Sequence, residues 1–207
     1  MTDRKHWDSI FASTEDGKLG WHETDTTQTM KFVEPLLRGQ TPVIFLPGAG
    51  TSLLVDRLLQ HEGRLILNDI SGTALKKLEQ RIGRSDRLTW LQQDIAKPLP
   101  DDLPPVDLWI DRAVLHFLLR EEAIDAYFRN LKSVLRPGGH VLLAEFSTRG
   151  ARKCAGLELH RYSLEEYDRR LGADFERIAS EEHNYINPFG EPRPYVYGLY
   201  RRQPAAD

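Results

Sequence analysis

The stretch TPVIFLPGAGTS, residues 41–52, constrains the fold of this chain more than any other part of the sequence. Residues 43–46 form a short apolar run, which is typical of a strand buried on both faces in a parallel sheet. In the turn that follows, Gly48 and Gly50 have no Cβ, so the backbone can bend sharply and a ligand can lie against it. An apolar-periodic helix comes next, and its first turn offers unpaired N–H groups and a partial positive charge. Strand, glycine turn and helix together predict the first half-unit of a nucleotide-binding sheet.

Two cofactor classes use such a turn, and this one fits neither pattern fully. The dinucleotide fingerprint GxGxxG needs a third glycine where the chain has Leu53. The looser GxGxG of S-adenosylmethionine enzymes has Ser52 at its third glycine, and Leu46 stands where an acid is usual. A tight structural turn without a ligand is a further interpretation. The choice therefore depends on the rest of the chain.

Length and composition predict one globular domain of an ordinary enzyme. The chain has 207 residues, of which 40% are hydrophobic and 29% charged. Its net charge of −3 gives no basic footprint for nucleic acid, and no apolar run approaches the ~20 residues of a membrane span. The start of the chain lacks the apolar core of a signal peptide, and the single cysteine, Cys154, excludes an internal disulfide. We expect a cytoplasmic monomer or homodimer without nucleic-acid or membrane partners.

Acidic residues follow the second and third predicted strands. Residues 64–69 read as the second strand, which ends in Asp69, where an acid can accept hydrogen bonds from ribose hydroxyls. The alternative is that Asp69, with Ser71, only caps the next helix. Asp94 follows the strand predicted in residues 87–92, and it could accept from an adenine amino group while Ile95 packs on the ring. An ordinary loop acid is the alternative for Asp94.

The fourth predicted strand, residues 106–110, is followed at once by DRAVLHFL. Ligands of open parallel sheets lie beyond the carboxyl ends of the strands, near the point where the strand order reverses. Asp111, Arg112 and His116 are therefore the polar groups expected nearest to a substrate. The alternatives are a local Asp111–Arg112 ion pair and a His116 that lies in an apolar helix and is satisfied within the core.

The remaining pattern alternates helices and strands and then ends in two β-like runs. An amphipathic helix spans residues 121–135, a strand spans 140–146, and Ser163 caps a helix that ends at residue 171. The runs 175–186 and 195–200 are joined by the turn NPFGEP, so they predict an antiparallel hairpin. The fold class predicted from this order is α/β.

These segments resemble the class I S-adenosylmethionine-dependent methyltransferases over most of the chain. The segments that carry the resemblance are FLPGAGTS, LNDIS, LQQDI, DLWIDRAVLHFL and LRPGGHVLLAEF. It implies a Rossmann-like, doubly wound, seven-stranded and mostly parallel sheet with an antiparallel C-terminal hairpin, in one domain over residues 1–207. HWDSIF, CAGLELHRYS and NPFGEP–YVYGLYRR are similar to a small bacterial branch related to mitochondrial protein-lysine methyltransferases. His22 departs from that pattern, since an aromatic residue often follows the tryptophan.

The first part of the chain, residues 1–27, is called the N-terminal arm below. It is polar, has no strand of its own and carries Trp7 and Trp21. We interpret it as a lid that closes over the cofactor. Trp7 is expected to pin the arm onto the sheet, and for Trp21 both packing and a position beside the transferred methyl group are open.

The resemblance implies S-adenosylmethionine as cofactor and transfer of its methyl group by direct displacement to a small-molecule N, O or S nucleophile. A protein (lysine) methyltransferase, a non-catalytic S-adenosylmethionine-binding module and a nucleotide-binding oxidoreductase are the alternatives. The predicted cofactor-binding residues are Trp21, Pro47, Gly48, Ala49, Gly50, Asp69, Ile70, Asp94, Ile95, Asp111 and Arg112. The predicted catalytic residues are Asp111 and His116, and the predicted substrate residues are His22, Arg112, His116, Arg161 and Tyr162. No metal is predicted.

Overall fold

The central feature of the computed structural model, which describes residues 4–204, is a seven-stranded sheet in the order β3-β2-β1-β4-β5-β9-β8. The strands are β1 Val43–Leu46, β2 Arg64–Asp69, β3 Leu88–Gln92, β4 Val106–Arg112, β5 Leu135–Phe146, β8 Phe175–Ile186 and β9 Pro192–Arg202. A separate small hairpin is formed by β6 Lys153–Cys154 and β7 Leu157–Glu158. The helices are α1 Arg4–Ser13, α2 Thr27–Leu37, α3 Leu54–Leu58, α4 Gly72–Ile82, α5 Glu121–Val134 and α6 Leu164–Leu171.

Strand direction confirms the predicted doubly wound sheet. β3, β2, β1, β4 and β5 pair in parallel, whereas β9 pairs antiparallel with both β5 and β8. The chain first builds outward from β1 through β2 to β3 and then returns to place β4 on the other side of β1. The strand order therefore reverses between β1 and β4, where open α/β sheets bind their ligands.

The residues of β1 explain why this strand lies at the centre. Ile44 and Leu46 pack into a hydrophobic cluster on one face, and Phe45 packs into a separate cluster on the other. The Phe45 ring stacks on Trp109 of β4 with centroids 4.3 Å apart. Burying a side chain of this size stabilises a fold by about 1.5–3 kcal/mol. Because a shift of one residue would move each of these side chains to the opposite face, their burial fixes the register of β1 in the sheet.

Two predicted helix starts are confirmed, and one predicted helix is absent. Ser71 Oγ accepts a hydrogen bond from Ala74 N at the start of α4, and Ser163 Oγ accepts one from Glu166 N at the start of α6. After β4, however, the apolar stretch forms only a 3₁₀ turn, Leu115–Phe117. Asp111 and other buried side chains accept the N–H groups of this segment, as described below.

No helix within residues 4–204 combines the length and the apolar character needed to cross a membrane.

Candidate functional site

A large cavity opens at the carboxyl ends of β1, β2 and β4, directly over the reversal in strand order. Its empty volume, including open solvent at the mouth, is about 1120 Å³. The glycine turn after β1 forms one wall, and the N-terminal arm forms another. The predicted site residues that line the cavity are Trp21, His22, Pro47, Gly48, Ala49, Gly50, Asp69, Ile70, Asp94, Ile95 and Arg112.

The glycine turn is held in a conformation that other residues rarely adopt. Gly48 has φ of +55° and Gly50 has φ of +52°. A Cβ on Gly48 would lie 2.2 Å from Cγ2 of Val114, and one on Gly50 would lie 3.4 Å from Cζ of Phe11. The turn therefore forms a cradle whose free space depends on the missing side chains.

Asp69, at the end of β2, orders this turn and faces the cavity as well. Its Oδ2 accepts a hydrogen bond from Gly50 N (2.9 Å), and its Oδ1 accepts one from Ser71 N (2.7 Å). Burial raises the pKa of the carboxyl from 3.8 to about 6, although these two N–H donors act against the increase. The cap of α4 is Ser71 rather than Asp69. The carboxylate thus has a local structural role, and its position in the cavity wall leaves it free for a ligand as well.

Asp94 and Ile95 form the far end of the cavity, beyond β3. Asp94 Oδ1 accepts a hydrogen bond from Ala96 N (2.9 Å), and Ile95 is buried beside it. Asn68 fastens this end because its Nδ2 donates to the carbonyl oxygens of Leu91 (3.0 Å) and Gln93 (2.9 Å). An acid and an apolar side chain therefore stand side by side at the position predicted for an adenine ring.

Four aromatic side chains enclose the cavity on the side of the arm. The ring centroids of Trp7 and Phe117 are 4.8 Å apart, those of Trp7 and Trp21 are 5.6 Å apart, and those of Phe11 and Trp21 are 6.1 Å apart. Trp7 is buried, as expected for a residue that pins the arm, while Trp21 is only partly buried. Phe11 and Phe117 were not predicted as site residues. The i, i+4 spacing of Trp7 and Phe11 on α1 was the available signal for one of them.

Arg112 fastens the arm to the sheet. Its Nε lies 3.1 Å from Glu23 Oε2, and its Nη1 donates to the carbonyl oxygen of Trp21 (3.2 Å). The guanidinium also lies against the rings of Tyr185 and Tyr195, with its central carbon 4.8 and 5.1 Å from their centroids. Burial opposes the charged form, but the Glu23 carboxylate together with Tyr195 and Tyr197 outweighs it, so the pKa of Arg112 is raised. Glu23, a residue not predicted, is therefore the ion-pair partner of Arg112, and Asp111 is not.

Asp111 and His116 lie beneath the cavity and do not line it, which corrects their predicted roles in cofactor binding and catalysis. Both side chains are fully buried. Tyr127 donates to Asp111 Oδ2 (2.6 Å), and His116 Nδ1 lies 2.5 Å from Glu145 Oε2. Burial raises the pKa of Asp111 well above its usual value and that of Glu145 to about 8, and it lowers the pKa of His116 to about 3.

This buried group supports the wall of the cavity instead. Asp111 Oδ1 accepts a hydrogen bond from Val114 N (3.2 Å), and Glu145 Oε2 accepts one from His116 N (3.3 Å). Between β4 and these contacts, Ala113 has φ of +69° and faces the cavity. The carboxyl groups therefore hold a segment in a left-handed conformation that is uncommon outside glycine.

Arg161 and Tyr162, predicted to bind substrate, also lie outside the cavity. Arg161 Nη1 donates to the carbonyl oxygen of Thr148 (2.6 Å) in the loop after β5. Tyr162 is fully buried and stacks on Tyr167 of α6, with centroids 5.3 Å apart. A β-bridge between Ser147 and Tyr162 fixes this strand segment and points the tyrosine into the core.

The chain is similar to methyltransferases in sequence pattern and in fold. Residues 47–141, from the glycine turn to β5, match the family model described as a methyltransferase domain. No curated protein sequence matches the chain. Among solved structures, the chain is similar to an S-adenosylmethionine-dependent methyltransferase from Anabaena variabilis, with 15% identity, coverage of 97% of this chain and 93% of that one, and a TM-score of 0.79.

Two further similar structures contain a product of the cofactor. The N-methyltransferase NodS from Bradyrhizobium japonicum, in complex with S-adenosylhomocysteine, is 16% identical, with 96% and 97% coverage and a TM-score of 0.70. The 1,6-didemethyltoxoflavin-N1-methyltransferase from Burkholderia thailandensis, with bound 1,6-didemethyltoxoflavin and S-adenosylhomocysteine, is 19% identical, with 97% and 87% coverage and a TM-score of 0.73. The similar structures confirm the predicted fold, and residues 47–141 match the model of a methyltransferase domain.

Proposed function

We propose that the chain is an S-adenosylmethionine-dependent methyltransferase that transfers the methyl group directly to an N, O or S atom of a small molecule. The observation that carries the proposal is the covered cavity, with the glycine turn and Asp69 on one side and the fastened arm on the other. A covered cavity suits a compact acceptor and keeps water from the reacting atoms. The small-molecule acceptor of the Burkholderia enzyme agrees with this choice.

The residues present fit such a cofactor. The glycine cradle leaves room for backbone contact, Asp69 offers carboxylate oxygen to ribose hydroxyls, and Asp94 with Ile95 suits an adenine ring. When bound, the sulfonium supplies an electrophilic methyl group, whose carbon accepts the lone pair of the acceptor while the S–C bonding pair stays on sulfur. The aromatic side chains around Trp21 favour a nearby positive charge by about 0.5–2 kcal/mol for each cation–π contact.

The protein's own contribution is to position the acceptor and to take up its proton. Alignment alone can lower the barrier by roughly 7–11 kcal/mol in well-oriented systems. His22 lines the cavity, and burial lowers the pKa of its imidazole below 6.5, so the ring is neutral near pH 7. A neutral imidazole can accept the proton that an O–H, N–H or S–H acceptor loses.

A protein-lysine acceptor is the second candidate, because aromatic side chains surround Trp21 and such side chains suit a lysine ammonium. The similarity of HWDSIF to the branch related to mitochondrial protein-lysine methyltransferases points the same way. Against it, Glu23, an acid of the cavity lining two residues from Trp21, is already paired with Arg112. A non-catalytic module that only binds the cofactor is the third candidate.

Transfer of tritium from methyl-labelled cofactor into a cell extract, followed by size separation, tests the function. The proposal predicts label in the small-molecule fraction with wild-type protein and, at a cofactor concentration near its Kd for the wild type, much less label with Asp69→Ala. Label in protein bands would support the lysine candidate, and no transfer despite cofactor binding would support the non-catalytic module.

The lid role of the N-terminal arm gives one prediction. S-adenosylhomocysteine is expected to slow tryptic cleavage after the exposed Lys18, because bound ligand favours the closed arm. Trp21→Ala should lose this protection and most activity yet keep its melting temperature without ligand. Trp7→Ala, which empties a buried position, should lower that temperature instead. Equal cleavage with and without ligand, or a large drop in melting temperature for Trp21→Ala, would show that the arm is packed permanently over the cavity and is not a lid.

The pKa of Asp69 gives a prediction on pH. Because burial raises this pKa to about 6, Asp69 is charged at pH 7.5 and becomes protonated as the pH falls through 6. Protonation removes an acceptor of ribose hydroxyl hydrogens, so affinity for S-adenosylhomocysteine should fall by up to about tenfold per pH unit below 6. Titrations at several pH values measure this, and Asp69→Asn should bind weakly without the pH dependence. If the affinity of wild type and of Asp69→Asn fell equally with pH, the pH dependence would belong to another group.

A further inference from the structure

The guanidinium of Arg112 has more hydrogen-bond donors than the surrounding protein satisfies. Its side chain is only 9% exposed and lines the cavity. Nη1 donates to the Trp21 carbonyl, but among residues 4–204 no acceptor makes a hydrogen bond of normal geometry to Nε or Nη2, although Glu23 Oε2 lies near Nε. Buried donors are normally satisfied, so an unused N–H group at a cavity wall indicates a ligand.

The unused donor lies on the edge of the guanidinium that suits a carboxylate. Nε and Nη2 form one planar edge, and a carboxylate can accept from both in a bidentate pair. The closest approach of Glu23 is from its Oε2 to Nε, at 3.1 Å. The faces of the guanidinium are covered by Tyr185 and Tyr195, so this edge is the side left for an anion. The existing ion pair therefore occupies half of an anion site.

The hydroxyls near this edge are also incompletely satisfied. Tyr195 OH, Tyr197 OH and Thr29 Oγ1 are buried, and within the described part of the chain none makes a hydrogen bond of normal geometry. Tyr197 nevertheless lies close enough to Thr29 and Arg112 to interact with both. The charge of Arg112 is close enough to lower the pKa of both tyrosines, although their burial raises it overall. The environment is thus rich in donors and has one carboxylate, which belongs to the arm and not to the sheet.

Strand order places Arg112 on the acceptor side of the cavity. Asp69 ends β2, and Arg112 ends β4 on the opposite side of β1. The tyrosines that stack on Arg112 belong to β8 and β9, still farther from β2. With ribose at Asp69, as in the proposed function, the space next to Arg112 lies beyond the cofactor.

We propose that the methyl acceptor is a small carboxylic acid, whose carboxylate binds the Nε–Nη2 edge of Arg112 and displaces Glu23. Glu23 acts as an internal counterion that closes the arm when the site has no acceptor. This inference rests on the proposed function, and it adds the chemical class of the acceptor. Because no covalent step involves either residue, both are positioning and binding residues.

The test uses protein saturated with S-adenosylhomocysteine and titrated by calorimetry with benzoate, phenylacetate and indole-3-acetate, each against its neutral amide. The acids are expected to bind at least about tenfold more tightly than the amides, since hydrogen bonds to a charged group are lost with the amide. Glu23→Gln should tighten acid binding by about tenfold by removing the competitor, and Arg112→Gln should abolish the preference for acids. Glu15→Gln, an exposed arm acid paired with Lys18, should match wild type.

The outcomes separate this inference from the proposed function. Failure of the wild type to bind S-adenosylhomocysteine would defeat the proposed function itself. Normal binding of that ligand, without preference for acids in wild type and Glu23→Gln, would overturn only the acceptor class. Arg112→Gln can destabilise the arm. If the Arg112→Gln protein does not fold, the result with Glu23→Gln decides whether the acceptor is an acid.

A further comparison distinguishes an acceptor carboxylate from the carboxylate of the cofactor. If Arg112 bound the amino-acid end of the cofactor, Arg112→Gln would weaken S-adenosylhomocysteine far more than 5′-methylthioadenosine, which lacks that end. The proposal predicts that Arg112→Gln changes the affinities for both ligands by the same factor, and a selective loss for S-adenosylhomocysteine would contradict it.

Discussion

Replacing Asp69 by alanine is expected to weaken S-adenosylhomocysteine binding by about 10- to 150-fold, because hydrogen bonds to a charged acceptor contribute about 1.5–3 kcal/mol. Stability should change much less than binding. The variant loses the acceptor of Gly50 N and Ser71 N, but it also removes a buried charge whose raised pKa shows that burial disfavours it. Calorimetry and thermal unfolding measure the two effects separately.

Asp107→Ala is the matched control for this experiment. Asp107 Oδ2 accepts a hydrogen bond from Val43 N (2.7 Å), so it also joins a carboxylate to the backbone beside β1. It lies at the amino end of β4 and outside the cavity lining. Asp107→Ala should lower stability and leave binding intact. If Asp69→Ala bound S-adenosylhomocysteine as tightly as the wild type, Asp69 would only stabilise the glycine turn.

Replacing Gly48 by alanine is expected to have the second large effect, on both stability and binding. The left-handed φ costs about 1–2 kcal/mol for an L-residue, and overpacking adds about 1–3 kcal/mol because the new Cβ would meet Val114 Cγ2 at 2.2 Å. The turn must then shift into the cavity wall, so affinity for S-adenosylhomocysteine should fall by more than about tenfold.

Two variants separate the causes of this loss. Gly39→Ala imposes a similar backbone conformation, with φ of +66°, where nothing lies within 4 Å of the new Cβ. Gly39→Ala should lower the free energy of unfolding only by the cost of the left-handed φ, about 1–2 kcal/mol. It should bind S-adenosylhomocysteine normally. Adding Val114→Ala to Gly48→Ala should recover the part due to the clash. No recovery in this double variant would contradict the clash as the cause.

The sequence predicts most of the sheet because its central strands carry their own signals. Residues 43–46 are an apolar run, residues 64–69 have an apolar centre with polar ends, and both segments form strands with those bounds. The hairpin at the end of the chain was predicted from a proline- and glycine-containing turn between two β-like runs, and β8 and β9 pair as expected. The helix expected around residue 116 was wrong because hydrogen bonds from distant side chains, chiefly Glu145, replace helical ones.

Cavity residues at strand ends were predictable, but the direction of their side chains was less so. Asp111 and Arg112 are consecutive on β4, and successive side chains of a strand point to opposite faces. Arg112 accordingly meets the arm, whereas Asp111 meets Tyr127 of α5. The sequence identified the pair and could not tell which member reaches the cavity.

The contribution of the arm was the least predictable part of the site. Glu23 lines the cavity, but it belongs to neither a periodic pattern nor a motif. Its position depends on how the arm crosses the ends of the strands, and that path is fixed by contacts such as the hydrogen bond from Tyr185 OH to the carbonyl of His22. Such contacts join residues far apart in sequence, so local sequence signals do not report them.

The central claim is that the cavity beneath the arm is a site for S-adenosylmethionine. Calorimetric titration of the wild-type chain with S-adenosylhomocysteine, and separately with NAD, tests this most directly. The glycine turn, Asp69 and the methyltransferase match over residues 47–141 predict saturable S-adenosylhomocysteine binding and no NAD binding. Tight NAD binding, or no S-adenosylhomocysteine binding by folded protein, would contradict the claim.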